Sequence, residues 1–230
     1  MIYINDNLKF IKEDIENILS MQGRNKDSVN IIAVTKTIDI ESIQKAIELG
    51  VRDIGENRVQ ELMEKMNVFK KNANYHMIGH LQTNKVKYII DKVSLVHSLD
   101  RISLAKEMDK QAKQKDIIVD ALIQVNVAEE ESKFGLSVKE VIPFIEEVLN
   151  FQNINIKGLM TIAPFTNDEK LLRDIFRKMY NLKQNINDKN YENVDLEYLS
   201  MGMTNDYRIA IEEGSNMVRI GTGIFGKRNY

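Results

Sequence analysis

Two stretches near the C-terminus carry the residue types that an anion needs. Leu199-Ser200-Met201-Gly202-Met203-Thr204-Asn205-Asp206 reads as a short strand running through a glycine into a helix start. Val218-Arg219-Ile220-Gly221-Thr222-Gly223-Ile224-Phe225-Gly226 follows after one short helix and Gly214. Convergent backbone N–H groups beside small residues and hydroxyls are what a phosphate requires, and Ser200 and Thr222 add side-chain donors. Far upstream, Lys36 ends the apolar run Ile31-Ile32-Ala33-Val34-Thr35. Apolar surroundings disfavour its ammonium form, and the neutral amine attacks aldehydes. Each feature alone is common: strand-end lysines are usually just solvated, and glycine-rich turns recur everywhere. Together they suggest a cofactor that carries both an aldehyde and a phosphate.

Other candidates are open or weaker. Arg219 interrupts an apolar strand and reads either as half of an ion pair or as a guanidinium facing the ring nitrogen of a pyridoxal. His76 and His80 fall on a strand and its exit, about 13 Å apart at ~3.3 Å per residue, too far to share a metal. Glu129-Glu130-Glu131 with Lys133 reads as a solvated loop after the fifth strand.

The composition narrows the class. With 230 residues, 43% hydrophobic and 29% charged, the chain suits one α/β barrel or two small domains with a substantial core. A net charge of -2 leaves no basic footprint for nucleic acid. The absence of cysteine excludes disulfides, thiol nucleophiles and thiolate metal sites. No apolar run reaches membrane-spanning length, and the N-terminus lacks a signal peptide's regions. The expectation is a cytoplasmic chain forming a single domain over 1–230.

The elements that must position these residues alternate. A leading amphipathic helix spans about Asp6 to Met21. Strands are expected near Ile31–Lys36, Val51–Asn57, Tyr75–Gly79, Leu95–Leu99, Ile118–Asn126 and Ile154–Thr161, and at the two C-terminal stretches. Helical apolar periodicity separates them. Capping boxes at Ser137/Glu140 and Thr166/Glu169 announce the helices after strands five and six. Eight strand–helix units with right-handed crossovers match a small (β/α)₈ TIM barrel, with an open doubly wound sheet as the alternative. Lys36, Asn57, Gly202 and Gly221 fall at or near strand C-terminal ends, where barrels keep their sites, and phosphate commonly sits after strands seven and eight.

The chain resembles the pyridoxal 5′-phosphate homeostasis protein family, which is similar to a free-standing N-terminal barrel of alanine racemase. The resemblance covers essentially the whole chain. Its most specific stretch is Tyr75-His76-Met77-Ile78-Gly79-His80-Leu81-Gln82-Thr83-Asn84-Lys85. Ala33–Lys36, Gly55–Glu61, Ser200–Met203 and Val218–Thr222 match as well. Tyr75 stands where the family more usually has Trp or Phe. The resemblance implies that Lys36 holds pyridoxal 5′-phosphate as a Schiff base, with Asn57 beside the ring. It places Ser200, Gly221 and Thr222 on the phosphate and Arg219 opposite the ring nitrogen. Alanine racemase has a second domain that supplies a catalytic tyrosine, and this chain leaves no room for one. That implies an open cleft, a monomer, and a carrier that supplies the cofactor to enzymes needing it. A narrow-scope racemase and a cofactor-free Schiff-base aldolase or lyase are the alternative readings.

Overall fold

The computed structural model describes residues 2–226. The ends of the expected domain, Met1 and residues 227–230, lie outside the described residues. The leading helix α1 (Ile2–Met21) is followed by eight alternating units. These are β1 (Asn30–Val34), α2 (Ile40–Glu48), β2 (Asp53–Glu56), α3 (Val59–Phe69), β3 (Asn74–Met77), α4 (Val86–Ile89), β4 (Leu95–Leu99) and α5 (Ile102–Gln114). Then come β5 (Val119–Gln124), α6 (Val141–Val148), β6 (Ile154–Met160), α7 (Glu169–Asn187), β7 (Val194–Met203), α8 (Tyr207–Glu212), β8 (Met217–Ile220) and α9 (Thr222–Phe225). The strands pair in sequence order and close, parallel throughout, with β8 on β1 through Ile32↔Arg219 and its neighbours. An open sheet is thereby excluded.

Alternation sorts each strand's side chains into two cores. Outward residues such as Ile54, Val96, Ala121, Ile123 and Leu159 pack beneath the helices. Inward residues Ile32, Leu95, Leu122, Met160 and Met217 fill the barrel, with Tyr198 packed against them. Helix α1 closes the seam between the last and first units. Its stripe Ile4, Leu8, Ile11, Ile15 and Leu19 packs with Tyr207, Ile211, Val218, Ile220 and Ile224. The helix starts one turn earlier than expected because Ile4, fully buried, extends the stripe four residues back from Leu8.

Two local expectations change. Strand β7 begins at Val194, five residues ahead of Leu199. The Ser137/Glu140 box is present at the turn before α6, with Ser137 N–H donating to Glu140 Oε2 at 2.8 Å. No Thr166/Glu169 box forms, because Asp168 is the cap of α7 and accepts from Leu171 N–H at 3.1 Å. The Thr166 hydroxyl instead accepts from Asp168 N–H. No helix among the described residues is long and apolar enough to cross a membrane.

Candidate functional site

Two adjoining cavities, of about 230 and 480 Å³, open at the C-terminal ends of the strands. Both are lined by Val34, Lys36, Met203 and Arg219. The first continues along Thr204, Gly221 and Thr222, and the second along Asn57, His80 and Phe134. Lys36 and Arg219 therefore stand where the two halves of one cleft meet.

The half-buried Lys36 is carried on a turn held from behind. Thr37 adopts φ +61°, a conformation that a β-branched residue enters only when the surroundings impose it. Its N–H donates to Glu61 Oε2 at 2.9 Å. On the other side, Lys65 Nζ donates to the Thr35 carbonyl at 2.6 Å and to Glu56 Oε1. The Thr35 hydroxyl also donates to Glu56 Oε1, at 2.5 Å. Glu56 and Lys65 are 0% and 5% exposed, so the pair is a buried clamp between β1, β2 and α3. Burial raises the Glu56 carboxyl's pKa, opposed by its bonds to Lys65 and Thr35. Among the described residues its Oε2 has no hydrogen-bond partner.

Arg219 is 3% exposed. Its Nη1 donates to the Ser200 carbonyl at 2.7 Å and hydroxyl at 2.6 Å, and its Nη2 to the Thr161 carbonyl at 2.8 Å. No carboxylate lies within ion-pair distance of it among the described residues, so the ion-pair reading is not what the fold builds. Burial lowers its pKa to about 10, with Asp206 opposing at longer range, and the group stays protonated at neutral pH.

The hydroxyls of the two C-terminal stretches sit at different depths. Ser200 is fully buried and lines neither cavity, and its hydroxyl is taken by Arg219 and His97. It lies inside the barrel, below the cleft. Thr204 stands at the mouth instead, accepting from Thr222 Oγ1 at 3.2 Å and from Gly223 N–H at 3.1 Å. Gly202, at φ +97°, turns the chain there, and a Cβ on it would lie 2.7 Å from that of Ala210. Gly223 allows the close approach, since its Cβ would come within 2.9 Å of Ile220 and 3.1 Å of Thr204. Gly221 and Thr222 line the first cavity.

The segment after β5 is a built strap. Asn126 Nδ2 donates to the Glu130 carbonyl at 2.9 Å, and Leu136 N–H returns to the Gln124 carbonyl at 2.9 Å. Lys133 pairs with Glu130 and reaches the Ala163 carbonyl at 3.3 Å. Phe134 stacks on His80 with ring centroids 3.9 Å apart, forming a wall of the second cavity.

A polar chain crosses the barrel interior. His97 Nδ1 lies 3.0 Å from Ser200 Oγ, its Nε2 lies 3.1 Å from His76 Nδ1, and His76 Nε2 lies 3.0 Å from Asp53 Oδ1. Burial opposes ionisation of Asp53, but His76 and Asn74 outweigh it and hold its pKa down. Among the described residues no three histidine or carboxylate side chains converge so that they could hold a metal ion. Burial, reinforced by His76 and Arg219, holds His97 well below the ordinary imidazole value of 6.5. The folded state therefore keeps His97 neutral while the unfolded chain takes up a proton below that pH. Stability from this group is complete above pH 6.5 and falls on acidification, at up to about 1.4 kcal/mol per pH unit. Urea titrations between pH 7 and 5 should show a shallower decline for His97→Gln, and equal slopes would contradict the assignment.

The family model for alanine racemase, N-terminal domain, matches residues 11–229. A pyridoxal phosphate homeostasis protein of Aquifex aeolicus is 41% identical over 226 residues, 98% of each chain. The chain belongs to the pyridoxal phosphate homeostasis protein family. A relative of the same name from Haemophilus influenzae is 36% identical, with 99% of this chain and 97% of that one covered. Among solved structures, an unknown protein from Bifidobacterium adolescentis superposes with TM-score 0.92 at 34% identity, covering 97% and 94% of the two chains. PipY of Synechococcus elongatus, solved with PLP bound, superposes with TM-score 0.82 at 27% identity, covering 97% and 100%. Alanine racemase of Clostridium difficile shares the fold alone, with TM-score 0.73 at 15% identity. It covers 98% of this chain and 58% of its own. In this member of the family, the most specific stretch, Tyr75–Lys85, forms β3 and its exit, and His80, Gln82 and Lys85 line a third cavity beside Asn57 and Arg58.

Proposed function

We propose that this chain holds pyridoxal 5′-phosphate in the paired cavities and serves in keeping and supplying that cofactor, with little or no turnover of amino acids. The observation that carries the reading is the sharing of Lys36 and Arg219 by both cavities, with the Thr204–Thr222–Gly223 cup at the end of one. The donor set fits the group: a primary amine for an aldehyde, the Thr204 and Thr222 hydroxyls for a phosphate, and a buried guanidinium for a ring nitrogen. When bound, the cofactor supplies an aldehyde that joins covalently to an amine and a ring that can draw electron density from it.

Each residue then has a defined task. Lys36 presents the amine from a turn fixed by Glu56, Glu61 and Lys65. Thr204 and Thr222 would hold phosphate oxygens through their hydroxyls, with the Gly223 N–H fixing the Thr204 oxygen from behind, and Asn57 would flank the ring. Arg219, anchored on two carbonyls and a hydroxyl, would present its remaining N–H groups to the ring nitrogen. A protonated guanidinium there would keep that nitrogen from accepting a proton, so the ring would be a weak electron sink and would stabilise a Cα carbanion poorly. The enzymes that need this cofactor are its recipients.

Two measurements test this. Thr204→Val and Thr222→Val should each weaken binding of pyridoxal phosphate by about 1–3 kcal/mol, the loss of a donor to a charged group. Unphosphorylated pyridoxal should bind almost unchanged, and equal losses for both ligands would remove the cup from the account. Deuterium exchange at Cα of alanine and other L-amino acids should be slow with the loaded protein. Exchange with inversion at roughly 1 per second or faster would instead make it a racemase.

A further inference from the structure

The polar chain inside the barrel has a direction. Arg219 Nη1 donates to Ser200 Oγ, so the serine proton must point elsewhere, and His97 Nδ1 at 3.0 Å is the acceptor within reach. His97 is then protonated on Nε2 and donates to His76 Nδ1, and His76 is protonated on Nε2 and donates to Asp53. The network admits this one assignment while both imidazoles are neutral. Every donor from Arg219 onward aims at the carboxylate of Asp53, on the opposite side of the interior from the cleft.

Such a chain is costly in this setting. Its neighbours inside the barrel are Ile32, Leu95, Leu122, Met160 and Met217, and apolar side chains would fill the same space without desolvating imidazoles. Every side-chain nitrogen and oxygen that the chain uses has a partner. Fully satisfied networks of this kind lock one arrangement of their members. The member that reaches the cleft is Arg219, which has five N–H donors. Three of its contacts go to Ser200 and Thr161, and the hydroxyl contact is the one whose geometry depends on what lies behind it.

We infer that His97, acting through the Ser200 hydroxyl and backed by His76 and Asp53, is a positioning residue that fixes the guanidinium of Arg219 against the ring nitrogen of the bound cofactor. The inference rests on the cofactor reading above. It also gives Ser200 a role unlike a phosphate contact: its deletion should be felt at the ring.

The test uses Ser200→Ala and His97→Phe in the full chain, with three ligands: pyridoxal phosphate, unphosphorylated pyridoxal, and the pyridoxal phosphate analogue whose ring nitrogen is replaced by carbon. Binding is read by absorption titration, and folding by circular dichroism and Tm. Both variants should bind the two nitrogen-containing ligands about tenfold more weakly, the scale of one hydrogen bond to a charged group. They should bind the carbon analogue as wild type does, and the absorption maximum of bound pyridoxal phosphate should shift. Loss confined to the phosphorylated ligands would return Ser200 to the phosphate and overturn the inference. Equal loss for all three would reduce the chain to a structural role and also overturn it. Unchanged binding throughout would do the same. If His97→Phe does not fold, Ser200→Ala decides alone. Failure of wild-type protein to bind pyridoxal phosphate would bring down the cofactor reading itself, a result separable from all of these.

Discussion

Lys65→Met is expected to destabilise the protein by about 3–5 kcal/mol, the usual cost of removing one partner from a buried ion pair. The substitution leaves the Glu56 carboxylate inside the α/β layer, with the Thr35 hydroxyl on one oxygen and no partner on the other. It also removes the Lys65 contact on the Thr35 carbonyl at 2.6 Å, leaving that oxygen to Ile38 N–H alone at 3.0 Å. The turn bearing Lys36 loses one of its side-chain anchors, while Glu61 on Thr37 N–H remains. Denaturant unfolding should reveal the loss, and the double variant Glu56→Leu, Lys65→Met should recover most of it, since an apolar pair packs the same volume without a stranded charge. Recovery of stability without recovery of cofactor binding would separate the clamp's two tasks. A single-variant loss below about 1 kcal/mol, the scale of an exposed pair, would show that the pair is not the buried clamp described.

Lys36→Ala should abolish the covalent link to pyridoxal phosphate and the visible absorption that accompanies it. The main-chain turn at Thr35–Thr37 is held by Glu56, Glu61 and Lys65, so the fold should survive. Thr204, Thr222 and Gly223 are untouched, so reversible binding should persist with faster release. Dialysis against buffer would separate the two proteins, with wild type retaining cofactor and Lys36→Ala losing it. Equal retention would mean that another amine, or the cup alone, does the holding.

The architecture was legible because it rests on short-range regularities. Apolar alternation and helical stripes recur eight times, and Lys36, Asn57, Gly221 and Thr222 follow strand ends closely enough to be placed at the mouth. Depth along the barrel axis is not a local property. Ser200 and Thr204 both belong to one glycine-containing stretch, but strand tilt and the stagger between β7 and β8 decide which reaches the cleft. The register break between Ser200 and Met203 leaves Ser200 level with the inner end of Arg219. The chain from Asp53 to Ser200 is invisible in sequence for the same reason. It joins residues of β2, β3, β4 and β7 that only barrel closure brings together. Glu129 and Glu131 are exposed, as a solvated loop requires, while the order of the segment comes from Asn126 and Lys133 on either side of Glu130, through hydrogen bonds that composition does not reveal.

The most direct measurement mixes the purified wild-type chain with pyridoxal phosphate, reduces it with borohydride and maps the modified peptides by mass spectrometry. The expected result is a visible absorption band before reduction and a single pyridoxyl group per chain, on Lys36. Modification spread over surface lysines, or a saturating adduct at any residue other than Lys36, would contradict it.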